Sequence, residues 1–146
     1  MILEHLCDME LGYKDQFQLI KPFGGEEGSG YGEGEGVATG EKLAGTIKWA
    51  NHPHRRSDGR MLPDAAGIVI TSNGAKVTFR MQGRTTFRTN DKGERKGGQL
   101  LWITFESDDE AYKWLNDALG VIEGVIDAKT LRMKFAVYTC VNELIA

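Results

Sequence analysis

Apolar and polar residues alternate with a period of two along most of this chain, far more often than apolar residues recur at the 3.6-residue spacing of a helix. Leu3, His5, Cys7, Met9 and Leu11 fall on one face of the first segment, and Glu4, Asp8 and Glu10 on the other, which predicts a strand with one dry side. Residues 43–51 repeat the pattern, with Leu43, Gly45, Ile47, Trp49 and Asn51 opposite Lys42, Thr46 and Lys48. Residues 67–71 are apolar and largely β-branched. Ser72-Asn73-Gly74 then supplies a tight turn into Val77, Phe79 and Met81 alternating with Lys76, Thr78 and Arg80, the signature of a hairpin. The polar, glycine-rich stretch 89–98 reads as a mobile loop tip between a strand at 84–88 and another over Leu100 to Phe105. Ser107 or Asp108 is placed to cap one short α-helix near residues 108–118, which carries Tyr112, Leu115 and Ala118 or Leu119 on one face and stops at Gly120. Two strands follow, roughly 121–127 and 131–139, the second alternating Leu131, Met133, Phe135 and Val137 with Arg132 and Lys134.

Sequential strands with hairpin connections, dry on one side and wet on the other, predict an all-β, mainly antiparallel fold. We expect an up-and-down, lipocalin- or streptavidin-like barrel of about eight strands carrying the single short helix. A β-sandwich would use the same alternation. A length of 146 residues is the size of one domain with one core, so residues 1–146 are expected to form a single barrel domain.

Gly30, Gly32, Gly34 and Gly36 recur at every second position beside Tyr31, Glu33, Glu35 and Val37. A phosphate-binding loop would need Gly-Lys-Ser/Thr ahead of a helix, so this segment reads instead as a strand with one bare face. Such a face lets the backbone bend sharply, lie against an aromatic ring or leave room for a ligand inside a barrel. In that orientation Glu33 and Glu35 point outward; with the strand flipped they become internal carboxylates of raised pKa.

Net charge narrows the partners. A value of −3, with an isoelectric point near 5.6, argues against a general nucleic-acid or anionic-membrane surface. No apolar run approaches the roughly 20 residues of a membrane helix, and Met1 to His5 lack the basic-then-apolar order of a secretory leader. A soluble, cytoplasmic protein is expected, binding neither nucleic acid nor membrane, with Cys7 and Cys140 as free thiols.

Ionisable chemistry concentrates in Trp49-Ala50-Asn51-His52-Pro53-His54-Arg55-Arg56-Ser57-Asp58-Gly59-Arg60. His52 and His54 can exchange protons near neutral pH, Arg55, Arg56 and Arg60 can hold a carboxylate or enolate, and Asp58 can orient either. Trp49 and Asn51 share the inner face of their strand, and alternation points His5 into the same interior, so these residues converge at a barrel mouth. The arginines cannot all face a dry cavity, and at least one is expected to pair with Asp58 or Asp64. A metal site is not expected: His52 and His54 stand two apart, but Pro53 breaks the strand and three arginines repel a divalent cation.

Three functions fit these residues. The leading one is a cofactor-independent isomerase, cyclase or lyase acting on a small aromatic or carbonyl-bearing metabolite in the barrel, with His52, His54 and Asp58 as the acid-base set and Trp49, Asn51, Arg55, Arg56, Arg60 and His5 as substrate contacts. The alternatives are a non-catalytic barrel holding a hydrophobic small ligand and a homo-oligomeric interaction module.

The ordered motifs Leu3-Glu4-His5-Leu6-Cys7, Pro22-Phe23-Gly24-Gly25, Gly34 to Gly40, Leu43 to Trp49, Asp58-Gly59, Ile70 to Ala75, Tyr112 to Asn116 and Val137-Tyr138 together resemble the DUF3237 family, also called UPF0311. The resemblance spans nearly the whole chain and implies an antiparallel β-barrel with a helix, often oligomeric, of largely unassigned biochemical role; a homo-oligomer is therefore expected here. Lys48 stands where the family pattern commonly has an acidic residue before the tryptophan, so pocket chemistry built on that acid does not carry over.

Overall fold

In the computed structural model, which describes residues 1–145, eight long antiparallel strands close into a barrel in simple up-and-down order. They are β1 (Ile2–Tyr13), β3 (Gly28–Thr39), β4 (Gly45–Asn51), β7 (Asp64–Ile70), β8 (Lys76–Thr89), β9 (Arg95–Glu106), β10 (Leu119–Asp127) and β11 (Met133–Val141). Each pairs with its neighbour in the chain, and β1 bonds both β11 and β3, so no edge of the barrel is left open. Three short strands, β2 (Gln18–Ile20), β5 (His54–Arg55) and β6 (Met61–Leu62), add to the β3 side at one end.

The expected alternation produces the core. Met9, Leu11, Ile47, Val69, Val77, Phe79, Ile103, Phe135 and Val137 all turn inward and are buried. The 84–88 segment is not a separate strand: β8 runs unbroken to Thr89 and β9 starts at Arg95, so the glycine-rich stretch narrows to a turn at 90–94 held by the Asn90 side chain and backbone. Gly97, expected in the loop, is an inward-facing strand residue, as is Gln99 just beyond it.

Two further expectations are corrected. His5 does not point inward, because a bulge between His5 and Cys7 inserts Leu6 into the β1–β11 ladder and reverses the alternation upstream of it. Leu6 and Cys7 are both buried, and His5 is exposed. The predicted α-helix at 108–118 is a 3₁₀ helix over Lys113–Asp117 alone. Ser107 Oγ accepts the Asp109 amide and Asp109 Oδ1 accepts the Ala111 amide, so these short side chains hold turns where a helix would have begun. A connection this brief across a barrel end is also too short to sustain a helix by propensity alone. It acts as a plug: Leu115 enters the core, Tyr112 and Ala118 pack behind it, and Asn116 exchanges two hydrogen bonds with the Ser107 backbone at 2.8 and 2.9 Å.

Cys7 is buried, Cys140 half-buried, and both are free thiols. Among the described residues no helix is long and apolar enough to cross a membrane.

Candidate functional site

The barrel end opposite the plug is open, and its inner surface is set by the glycine strand. Glu33 and Glu35 lie outside, and Gly30, Gly32 and Gly34 face inward against aromatic rings. A Cβ on Gly32 would come within 2.5 Å of the Tyr13 ring and 2.7 Å of Phe17, and one on Gly34 within 2.5 Å of Trp49. The missing side chains therefore let Phe17, Tyr13 and Trp49 stack along the strand, Tyr13 meeting Trp49 edge-to-face at 4.6 Å and Phe17 at 5.3 Å. Trp49 is almost fully buried and donates Nε1–H to the Glu35 carbonyl at 3.2 Å.

A cavity of about 100 Å³ sits above this stack, lined by Tyr13, Phe17, Asn51, Pro53, Met61, Pro63, Thr85, Phe87, Gln99, Ile126 and Leu131. Its walls are apolar except for four neutral polar groups. Asn51 Nδ2 donates to the Tyr13 hydroxyl at 3.1 Å, while Asn51 Oδ1 accepts the Asp64 amide at 3.1 Å, so the strand end fixes the amide and the amide fixes the phenol. Burial pushes the Tyr13 pKa up, and the hydrogen bond from Asn51 only partly opposes this, so the hydroxyl stays protonated and available to donate. Gln99 is only 7% exposed. Its Nε2 donates to Thr85 Oγ1 at 3.2 Å, and its buried Oε1 has no hydrogen-bond partner. A protonated phenol and a buried, unpartnered amide oxygen thus border a nearly uncharged, greasy space.

The motif read from the sequence divides around the barrel wall. Trp49 and Asn51 are interior, as alternation requires. His52 faces out, its ring near Tyr31 and nearly parallel to that of His54 at 6.4 Å. His54 is also exposed, with Nδ1 3.7 Å from a Glu27 carboxylate oxygen. Pro53 passes between them into the cavity wall and accepts the Gly30 amide at its carbonyl. Residues 54–62 form a small flap over the rim. Asp58 organises its tip, taking Arg56 Nη2 at 2.9 Å, Arg60 Nη1 at 3.0 Å and the Arg60 amide at 3.1 Å, with Gly59 in the left-handed region. The backbone amide of Arg60 is the first cause of the lowered Asp58 pKa, with the two guanidiniums adding to it. Arg56, Asp58 and Arg60 thus form a solvent-exposed hairpin brace, the structural pairing expected for at least one arginine. Arg55 lies on the inner side of the flap, opposite Met61, half-buried and with Nε shielded and unpaired. His5 is remote from the rim, outside the barrel, 2.8 Å from Asp8 and edge-on to Tyr138 at 5.6 Å.

Sequence reasoning missed Tyr13, Phe17, Thr85, Phe87 and Gln99. Two of them carried a signal: Tyr13 continues the Cys7, Met9, Leu11 alternation by one step, and Gln99 is the lone polar residue in the inward series Gly97, Gln99, Leu101, Ile103. The larger depression over β1, β3 and β4 lies outside the barrel among charges of both signs, Lys14 and Glu35 already paired at 3.3 Å.

Fold and cavity define a small closed β-barrel, plugged at one end and open at the other. Solved structures share it. A β-barrel-like protein from Acinetobacter baumannii matches with a TM-score of 0.82 over 94% of each chain at 16% identity. A protein of unknown function from Clostridium acetobutylicum matches at 0.73 over 97% of this chain and 100% of its own, again at 16% identity. An enzyme from Penicillium herquei matches at 0.64 over 94% and 93% with the same identity. No protein-family profile and no curated protein matches the sequence.

Proposed function

We propose that this barrel binds one small, uncharged, partly aromatic molecule, which inserts a carbonyl- or hydroxyl-bearing head group into the open end. The observation that carries this is the Gln99 amide, buried with Oε1 unpartnered, which lines the same largely apolar cavity as the protonated hydroxyl of Tyr13. An unmet buried acceptor costs about 1–3 kcal/mol, which a ligand donor recovers. A cavity of about 150 Å³ holds benzene, so about 100 Å³ takes a head group while the remainder of the ligand leaves through the rim. Leu19, Ile20 and Phe23, large apolar side chains exposed on and after β2, offer that remainder a surface.

If the ligand is a substrate, Tyr13 is the group that would polarise its carbonyl or protonate an oxygen, in a cofactor-independent isomerisation, cyclisation or elimination. The enzyme from Penicillium herquei, which shares the fold, favours keeping this reading. His52 and His54 have no part in it, since neither lines the cavity. Membership of the DUF3237 family belongs to the same proposal and rests on the order of motifs along the chain.

The test is calorimetric titration with acetophenone, phenol, benzamide and benzoate. The neutral compounds are expected to bind, with benzoate at least about tenfold weaker because the cavity lining holds no cation. Phenol and benzamide, which can donate to Gln99 Oε1, should bind more tightly than acetophenone, which cannot; Tyr13→Phe should weaken acetophenone about five- to tenfold, while His52→Ala and His54→Gln leave all three unchanged. Loss of binding in the histidine variants, or no binding of any neutral probe at millimolar concentration, would sink the reading.

A further inference from the structure

Side chains on the outer face of β8, β9 and β10 are not those of a barrel wall made only to meet water. Leu100 is 68% exposed, Trp102 39%, Leu119 51% and Val125 39%, and they lie diagonally across β9 and β10, with Val121 opposite Trp102 and Glu123 opposite Leu100. A contiguous apolar patch of this kind on a charged protein marks an association surface. Charge around it is sorted by strand. On the β8 side stand Arg80, Arg84 and Arg88; on the β10 side stand Glu123 and Asp127. The register lines them up: Arg84 pairs with Leu100 and Leu100 with Glu123, while Arg88 pairs with Lys96 and Lys96 with Asp127. Neither Arg84 nor Glu123 has an oppositely charged partner within its own chain among the described residues.

Two kinds of two-fold axis can stack this face on a second copy of itself. An axis across the strands sets β8 against β8 and β10 against β10, which opposes arginine to arginine and glutamate to glutamate. An axis along β9 sets β8 of one copy over β10 of the other. It brings Arg84 to Glu123 of the second copy and Arg88 to Asp127, twice each, with Leu100 and Trp102 meeting their own counterparts on the axis. Both arrangements keep the strand directions aligned, as stacked sheets prefer, so the charges choose between them. We propose that the chain forms a symmetric homodimer through this face, with the two-fold axis along β9. Three strands at about 4.8 Å spacing and eight residues at about 3.3 Å rise give a face on the order of 400 Å². Two copies then bury on the order of 800 Å², the size of a weak, transient association.

Charge reversal tests it. Sedimentation equilibrium of the wild type should give twice the 16.2 kDa chain mass. Arg84→Glu and Glu123→Arg, each placing two like-charge contacts in the dimer, should each raise its dissociation constant at least about tenfold. The double variant R84E/E123R should recover the wild-type value, and Leu100→Asp should be monomeric. All three positions are exposed, and thermal melting checks that each variant folds. A monomeric wild type up to about half-millimolar concentration, single reversals without effect, or a double variant as weak as the singles would each overturn the proposal.

Discussion

Adding one methyl group to successive glycines of β3 separates what the bare face is for. At Gly34 the new Cβ would be driven into the Gly12 carbonyl oxygen and would lie 2.5 and 2.6 Å from Trp49 ring atoms. Gly12 is held in the β1–β3 ladder, and Trp49 is locked by its bond to Glu35, so neither can retreat. At Gly32 the Cβ would lie 2.5–2.6 Å from the Tyr13 ring and 2.7 Å from Phe17, equally tight, but both rings line the cavity and can move into it. At Gly98 the nearest atom is 4.0 Å away. Overpacking costs about 1–3 kcal/mol and more where nothing can shift, and about 1 kcal/mol moves the melting temperature of a chain this size by about 2–4 °C. Gly32→Ala should therefore melt about 3–7 °C below wild type, Gly34→Ala at least about 8 °C below, and Gly98→Ala about 1–4 °C above through lost chain entropy. Gly32→Ala should also bind acetophenone at least about tenfold more weakly while still folded, because the displaced rings occupy the ligand's space. Calorimetric melting and titration read both quantities. A Gly34→Ala protein within 2 °C of wild type, or one more stable than Gly32→Ala, would refute the packing account.

Other outcomes follow from the same structure. Burial, with a smaller contribution from Asp8, pushes the Cys7 thiol up to about 12 from an ordinary value of 9.0. Its folded pKa is raised, so its contribution is complete below about pH 9 and is lost as pH climbs toward 12; the amplitude is on the order of 4 kcal/mol. Denaturant melts from pH 8 to 11 should fall more steeply for wild type than for Cys7→Ala, and parallel curves would contradict this. Asp58→Asn, at an exposed hairpin tip, should leave the urea midpoint close to that of wild type and ligand affinity unaltered. A larger loss in a urea titration would mean that the flap braces the barrel. Acetophenone affinity should be flat from about pH 5.5 to 9, since Tyr13 stays protonated throughout; a bend in that range would instead implicate a histidine.

The barrel was legible because period-two alternation and hairpin turns are local properties, and strands that follow one another in the chain are neighbours in the sheet. The glycine series was legible as a bare strand face for the same reason. His5 was misplaced because one inserted residue, Leu6, reverses which face alternation assigns, and nothing in Leu3-Glu4-His5-Leu6-Cys7 announces a bulge. The helix shrank because capping residues also make turns, and the choice between them depends on how far the connection must reach. The site was half legible. Trp49 and Asn51 were found from their strand, yet His52, His54 and Asp58 drew attention by chemistry alone, and Pro53 swings between the two histidines so that both rings stay outside. The cavity walls come from six separate strands and the loops between them, and only closure of the barrel brings Tyr13, Thr85 and Gln99 together.

The most direct test of the account is a crystal structure of the protein soaked with acetophenone. Density is expected among Tyr13, Phe17, Phe87 and Gln99, with the carbonyl oxygen within hydrogen-bond distance of the Tyr13 hydroxyl. An empty cavity at saturating ligand, or density on the outer surface beside His52, His54 and Tyr31, would contradict it.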